Sequence, residues 1–224
     1  MQSPDGSFPS RYRTAQGIEG EFQSGSRGRV LANMLEIRSK RQIDQLEFEH
    51  LLLAQEKYLA IFTTETIFTV NLIRLMHREW LGKIYPWAGG FRSVELSKGK
   101  FTWPPARLVA QNMAAVEKQT LRRWTPCRPG TAEVVANSLA HVQADLLLVH
   151  PFREGNGRIA RWVTDLMAMQ AGRPALDYAF CGRGALRRRN EYIAAVVEGY
   201  AQNYARLTRL LCDAIKRAEG RLER

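Results

Sequence analysis

The first half of the chain spaces its apolar residues as helices with one buried face do. Between Arg41 and Met76, apolar side chains return every three or four positions, which predicts two helices with a break near Thr63 and Thr64. A further helical stretch is predicted from Ala106 to Trp124. Prolines follow it closely, and proline ends a helix because it lacks the N–H that the next turn needs.

The second half has two strongly apolar segments on either side of a short polar loop. Thr131 is placed to cap the first segment, which predicts a helix over residues 132–149. Helical spacing resumes over residues 159–169, and Gly172 ends it. A final helix pair is predicted over residues 187–199 and 201–216.

One region is typical of strands rather than helices. It runs from Phe91 to Trp103, with Ser-Lys-Gly-Lys as its turn. Residues 1 to about 28 are rich in Ser, Gly, Pro and Arg, and they predict an extended arm or loose cap. The predicted fold class is therefore all-α, mostly helical with one short β-hairpin.

Composition places the chain among ordinary folded proteins. Its 224 residues are 45% hydrophobic and 25% charged, which excludes a fibrous or disordered chain. The 33 Lys and Arg against 22 Asp and Glu give a net charge of +11. This charge favours anionic partners such as nucleotides, nucleic acid or acidic proteins, and does not choose among them.

Cysteine usage and hydropathy indicate a compartment. Cys127, Cys181 and Cys212 are far apart and form no C-x-x-C pair, so neither a disulfide framework nor a zinc site is predicted. The N-terminus lacks an apolar signal core, and no window reaches the roughly 18 apolar residues of a membrane span. We therefore expect a soluble, cytoplasmic protein without a membrane partner.

The polar loop between the two apolar helices carries the candidate chemistry. Residues 150–161 read HPFREGNGRIAR. Gly155 and Gly157 allow a tight turn and a close approach to a ligand, so that backbone N–H groups at the start of the next helix can face phosphate oxygens. This pattern predicts an anion-binding cradle.

Charged and titratable side chains complete the loop. Arg158 and Arg161 lie three positions apart on one face, at the helix end where the dipole disfavours a cation unless an anion is bound. Glu154 offers the hard oxygen ligand that Mg²⁺ takes beside substrate phosphates. His150 can accept a proton near neutral pH.

This loop matches H-P-F-x-(D/E)-G-N-G-R-x-x-R at every defined position, and the chain therefore resembles the Fic family of nucleotide transferases, which shares the Fido fold with Doc. The resemblance implies a Fido-type helical bundle with a short hairpin flap. It covers roughly residues 45 to 205, with the remainder at the two ends of the chain. The implied parts are an N-terminal arm and first helical segment (1–44), a Fic domain (45–205) and a C-terminal helix end (206–224).

The resemblance also implies an activity. Such enzymes are Mg²⁺-dependent protein adenylyltransferases, which move AMP from ATP to a Ser, Thr or Tyr hydroxyl of a target protein and release pyrophosphate. The residue matching His150 deprotonates the hydroxyl, and the residue matching Glu154 holds Mg²⁺.

The phosphate contacts follow in the same way. Asn156, with the backbone of Gly155 and Gly157, would position the α-phosphate. Arg158 would contact the inner phosphates and Arg161 the γ-phosphate. These roles agree with the in-line positioning and charge neutralisation that phosphoryl-type transfer requires.

Two features outside the loop also resemble the family. YPWAGGFR at residues 85–92 and SKG at residues 97–99 look like the family's flap, a hairpin at about residues 86–103 that docks the target protein by strand addition. Tyr192 resembles the aromatic residue that lines the adenine pocket, although a single tyrosine on a helix is more often part of the core.

An inhibitory element of the family is not evident. Many members carry a helix with S/T-x-x-x-E-(G/N), whose Glu pairs with the residue matching Arg161, and no glutamate here has Ser or Thr four positions before it. Glu19 comes nearest, but Ala15 takes the Ser/Thr position and Gly17 weakens a helix by about 1 kcal/mol. We expect a separate antitoxin-like inhibitory chain, as in a toxin–antitoxin pair, with Glu19 as a degenerate internal brake as the alternative.

Other readings remain open. A basic nucleic-acid-binding module would explain the charge but not the loop. Transfer of phosphate or another phosphate-containing group is the alternative within the family. His50, His77 and His141 lack metal-ligand spacing and are expected at the surface or satisfied in the core.

Overall fold

The computed structural model describes residues 18–98 and 101–223, and within these ranges the chain is mainly helical. The α-helices are α1 Lys40–Ile61, α2 Val70–Leu81, α3 Val109–Val116, α4 Arg122–Trp124, α5 Ala132–Val149, α6 Asn156–Gln170, α7 Ala185–Glu198 and α8 Ala205–Leu222. A π-turn, Glu117–Leu121, joins α3 to α4, so the helical stretch predicted from Ala106 to Trp124 is confirmed.

Side-chain caps explain where three of these helices begin. The hydroxyls of Ser39, Thr69 and Thr131 accept hydrogen bonds from backbone N–H groups in the first turns of α1, α2 and α5. The predicted cap at Thr131 is confirmed, with a distance of 3.3 Å to the Val134 N–H.

Helix α5 forms the centre of the molecule. Its sequence is apolar almost all round, so it is buried on most sides, and it packs against α6, α8, α7 and α3. Its C-terminus and the N-terminus of α6 enclose the polar loop. The most apolar helix of the chain therefore fixes the position of the most polar motif.

The β-structure is a single short hairpin within the described residues. Strands β1 Ser97–Lys98 and β2 Phe101–Thr102 pair antiparallel, and the Trp103 N–H adds one bond to the Leu96 carbonyl at 3.1 Å. The strand pairing predicted from Phe91 is wrong for residues 91–95. The backbone there turns away from the hairpin, and the Arg92 N–H bonds the Pro151 carbonyl at 2.8 Å.

The N-terminal segment packs on the helices as far as it is described. Phe22 and Leu31 form an isolated bridge, Val30 is buried, and the Met34 N–H donates to the Ile84 carbonyl at 2.9 Å. Residues 1–17 of the predicted arm lie outside the described residues, and the proposed domain boundaries stay predictions. In the described part of the chain, no helix combines the length and the apolar character needed to cross a membrane.

Candidate active site

His150 sits at the junction of α5 and the loop, in a left-handed conformation with φ 52°. Such a backbone is strained for a non-glycine residue and is held by its surroundings. The ring Nδ1 lies 3.1 Å from the Leu147 carbonyl, an acceptor only, so Nδ1 carries the proton and Nε2 is the basic nitrogen. Burial, with Arg92 and Lys98 nearby, lowers the pKa of His150 to about 3.

Asn156 closes the loop on itself. Its Oδ1 accepts from the Phe152 N–H at 2.8 Å, and its Nδ2 donates to the Phe152 carbonyl at 2.7 Å. Both bonds are buried, so this amide behaves as a brace across the turn. The contribution of Asn156 seen here is to the shape of the loop.

The two glycines of the loop differ in what they provide. Gly155 has φ 83°, and a Cβ there would lie 2.7 Å from the Trp80 ring, so no other residue fits. Gly157 is helical, and a Cβ there would meet only the Arg161 guanidinium at 3.4 Å. The expected tight turn therefore depends on Gly155 alone, while Gly157 keeps the start of α6 uncovered.

The start of α6 has the backbone of an anion site. No side chain from the described residues caps this helix. The first N–H groups of a helix have no carbonyl partner within it and carry the positive end of the dipole. Among the described residues, the Arg158 and Ile159 N–H groups donate to the Gly155 carbonyl, so those of Asn156 and Gly157 are the candidates for an anionic ligand.

His77 supports the loop from beneath. It is fully buried, and its ring stacks on Phe152 with centroids 3.9 Å apart. Nδ1 accepts from the Gly89 N–H at 2.9 Å, so Nε2 carries the proton and donates to the Glu154 carbonyl at 3.1 Å. Burial lowers the pKa of His77 to about 4. It is a satisfied core histidine, as expected.

Glu154 is the candidate Mg²⁺ ligand. Its side chain is 21% exposed, and Oε1 lies 3.7 Å from Arg158 Nη2. Among residues 18–98 and 101–223 no group of three or more His, Cys, Asp or Glu side chains could hold a metal. A single carboxylate still fits Mg²⁺, which commonly takes its other ligands from water and substrate phosphates.

Arg158 is held by residues of α1 and α2. Its Nη1 lies 2.7 Å from Glu47 Oε2, and its guanidinium stacks over the Trp80 ring at 4.5 Å. Glu47 Oε1 accepts from the Tyr85 hydroxyl at 2.7 Å. Burial, together with Glu47, raises the pKa of Tyr85 well above its usual value, so this hydroxyl remains a donor.

Arg161 contacts different neighbours. Its guanidinium lies 5.9 Å from the Tyr178 ring and 5.8 Å from the Phe180 ring. The two arginines lie on one helix face, but Arg158 contacts residues of α1 and α2, whereas Arg161 contacts the aromatic rings of Tyr178 and Phe180. Their spacing in the sequence did not predict these different neighbours.

Tyr192 packs against the same two aromatic rings that Arg161 contacts. It is buried, edge-on to Phe180 at 5.3 Å, and burial raises its pKa to about 12 although Arg161 opposes the rise. Within the described residues, its buried hydroxyl has no hydrogen-bond partner of normal geometry. Tyr192 thus packs in the core beside Arg161, and its place in an adenine pocket stays a prediction.

Arg92 joins the flap to the loop. This buried guanidinium donates to the carbonyls of His150 at 2.8 Å, Val94 at 2.9 Å and Pro104 at 2.6 Å. Trp103 covers the other side, with its ring 4.0 Å from that of His150. The position of His150, the candidate base, therefore depends on Arg92 before the hairpin and on Trp103 after it.

Glu19 lies at the flap. Its Oε2 accepts from the exposed Ser93 N–H at 2.8 Å, and its carbonyl accepts from Arg153 Nε. The contacts of Arg161 described above involve aromatic rings and not Glu19. The brake suggested for Glu19 has no such ion pair here, and Ala15 lies outside the described residues.

Sequence reasoning missed several residues of this site. Glu47 lies on α1, 111 positions before its partner Arg158, and no spacing rule connects them. The contacts of His77 with the Glu154 carbonyl and of Arg92 with the His150 carbonyl are also long-range. The available signal was weak, since a single Glu on the apolar face of a helix is the one unusual feature.

Comparison with known proteins finds a family match in the centre of the chain. Residues 67–168 match the sequence profile of the Fic/DOC family. This matched region includes α2 to α5 and most of α6, with the whole HPFREGNGRIAR loop.

Named relatives share this region at low identity. The chain is 26% identical over 143 residues to the probable protein adenylyltransferase y4lH of Sinorhizobium fredii, covering 64% of this chain and 72% of y4lH. It is 28% identical over 161 residues to the protein adenylyltransferase Fic of Drosophila persimilis, covering 70% of this chain. Of that Drosophila protein the chain spans only 30%.

A solved structure has the same fold. BepC of Bartonella tribocorum, crystallised with bound AMPPNP, superposes with a TM-score of 0.67 at 18% identity, covering 88% of this chain and 96% of BepC. The predicted all-α fold with a short hairpin is thereby confirmed.

Proposed function

We propose that this protein is an adenylyltransferase that moves AMP from ATP to a Ser, Thr or Tyr hydroxyl of a target protein and releases pyrophosphate. One arrangement carries the proposal. His150, whose basic nitrogen is Nε2, lies in the loop that leads into α6. Helix α6 begins at Asn156 with no side-chain cap from the described residues, and Arg158 lies in its first turn. The proposed base and the proposed anion site would thus lie on one loop. The names of y4lH and the Drosophila relative support this activity.

His150 would act as the base on the target hydroxyl. Its lowered pKa keeps the ring neutral in the free protein, ready to accept a proton. Phosphates bound nearby would counter Arg92 and Lys98 and shift the pKa upwards, towards a value suited to proton transfer. The Leu147 carbonyl would stabilise the protonated ring, since it still accepts from Nδ1–H.

The start of α6 would hold the nucleotide phosphates. The N–H groups of Asn156 and Gly157 would bind the α-phosphate, with Arg158 on the inner phosphates and Arg161 on the γ-phosphate. Glu154 would hold Mg²⁺, which neutralises phosphate charge when bound. The adenine would lie beside Tyr192, and its ring nitrogens could supply the hydrogen-bond partner that the buried Tyr192 hydroxyl needs.

The flap at residues 86–103 would dock the target backbone by strand addition. A cytoplasmic location and restraint by a separate antitoxin-like chain complete the proposal. The three cysteines, none in a disulfide, are compatible with a reducing compartment.

Labelled ATP tests the reaction. Purified protein, cell lysate and Mg²⁺ are incubated with ATP carrying label at the α- or the γ-phosphate. Label retained on protein from α-labelled ATP alone is expected, because AMP is transferred and pyrophosphate leaves.

Variants assign the base. His150→Asn removes the base while tolerating a left-handed backbone, and it should abolish labelling. His50→Asn, on the half-buried side of α1, is the matched control and should label normally. Retention from γ-labelled ATP would show phosphate transfer instead, and labelling that survives His150→Asn would refute the assignment of the base.

A further inference from the structure

Glu47 is a buried carboxylate at the edge of the site, on a helix outside the matched family region. It is only 5% exposed. Oε2 lies 2.7 Å from Arg158 Nη1, and Oε1 accepts from the Tyr85 hydroxyl at 2.7 Å. Its backbone carbonyl accepts from Trp80 Nε1 at 2.8 Å. A carboxylate is seldom buried unless its partners satisfy it, and here each oxygen has one.

Arg158 needs such a partner because of where it stands. It lies in the first turn of α6, where the helix dipole repels a cation. The Trp80 ring supports one face of the guanidinium at 4.5 Å, and Glu47 fixes one end through Nη1. Without these contacts the guanidinium would keep only the longer ion pair between its Nη2 and Glu154 Oε1, at 3.7 Å.

We propose that Glu47 is a positioning residue, which holds the Arg158 guanidinium so that its remaining N–H donors face the phosphates of the nucleotide. The inference rests on the proposed function, because that function gives Arg158 its phosphate role. It adds a residue of α1 to the residues proposed to bind the phosphates, which otherwise lie in the loop and at the start of α6.

The contacts favour positioning over blocking. Glu47 is tied through its side chain to Tyr85 and through its backbone to Trp80, so it has no alternative place to move when a nucleotide arrives. Arg158 remains 30% exposed and has five N–H donors, of which Glu47 uses one. The guanidinium can therefore bind Glu47 and a phosphate oxygen together.

Nucleotide affinity tests the proposal without any target protein. Glu47→Gln keeps the size of the side chain and an acceptor for Tyr85, but it removes the charge that orients Arg158. We expect the dissociation constant for ATP with Mg²⁺ to rise by about 10-fold or more, by analogy with the loss of a hydrogen-bond partner behind a metal ligand. The dissociation constant for adenosine should not change, because adenosine lacks phosphates. Glu56→Gln, an exposed position on the same helix, is the matched control and should alter neither constant.

A double variant shows whether Glu47 acts through Arg158. In the Arg158→Ala background, Glu47→Gln should have no further effect on ATP affinity. Tyr85→Phe, which frees Glu47 Oε1 but leaves Arg158 untouched, should weaken ATP binding in the same direction and to a smaller extent. It carries the test if Glu47→Gln does not fold.

The outcomes separate the two proposals. Equal weakening of ATP and adenosine, additivity with Arg158→Ala, or unchanged ATP affinity would each overturn the positioning role while leaving the transferase reading intact. Tighter ATP binding would show that Glu47 blocks the site, and would also overturn it. A parent protein that binds no ATP would remove the proposed function, and this inference with it.

Discussion

The loop at residues 150–161 and the predicted flap at residues 86–103 lie against each other, yet they are built in opposite ways. The loop is braced by side chains: Asn156 spans it twice, and His77 and Trp80 fill the space beneath. The flap has four described residues in strands, and of these Lys98 and Thr102 are exposed. A buried guanidinium, Arg92, joins the two.

The difference shows which kinds of function leave a trace in sequence. Chemistry at phosphate requires particular side chains at particular places, so the loop has a recognisable motif. Docking by strand addition uses backbone groups, which every residue provides. The loop should therefore be sensitive to substitution and the flap tolerant.

The largest effect is expected at Gly155. Gly155→Ala forces a residue with a side chain into φ 83° and places its Cβ 2.7 Å from the Trp80 ring. We expect the free energy of unfolding in urea to fall by about 3 kcal/mol, with loss of labelling from α-labelled ATP.

Gly157→Ala is the control for that change. This position is helical with room for a methyl group. The free energy of unfolding should therefore stay unchanged or rise by up to about 1 kcal/mol. Equal destabilisation by the two substitutions would contradict the rigid packing assigned to the loop.

His77→Gln should change how stability depends on pH. Burial lowers the pKa of His77 from 6.5 to about 4, so between these values the unfolded chain binds a proton that the folded chain does not. The contribution of neutral His77 to the free energy of unfolding is therefore full above about pH 6.5. It falls by up to about 1.4 kcal/mol per pH unit as the pH drops towards 4.

The measurement is a set of urea unfolding curves from pH 4.5 to 7.5. His77→Gln should be less stable at pH 7.5 and should depend on pH less steeply, by one proton. His150, with its own lowered pKa, is present in both proteins and does not affect the difference. Parallel curves would mean that His77 is not neutral in the folded state.

The smallest effect is expected in the flap at Thr102, whose side chain is exposed opposite Ser97. Thr102→Ala leaves the backbone ladder intact, so the free energy of unfolding should change by less than about 0.5 kcal/mol and labelling of target protein should persist. Loss of labelling without loss of stability would show that the flap recognises its target through side chains.

The helices were predictable because their apolar spacing records which face is buried. The break near Thr63 and Thr64, the cap at Thr131 and the helices on either side of the loop all follow from that local pattern. The hairpin was predicted too long, because the contact between Arg92 and Pro151 that diverts the chain is long-range and has no local signal.

The site was predictable where its residues adjoin in sequence. Residues 150–161 are consecutive, so one loop and the helix start that follows it hold them together. Their functional roles remain a proposal. The partners of those residues come from distant elements: Glu47 from α1, His77 from α2 and Arg92 from the segment before the hairpin. Their roles depend on packing, which a single sequence does not reveal.

The most direct test of the central claim is mass spectrometry of the modified acceptor after reaction with unlabelled ATP. We expect one adenylyl group on a Ser, Thr or Tyr oxygen, absent when His150→Asn replaces the parent protein. A phosphate on the same acceptor, or an adenylyl group that forms without His150, would contradict it.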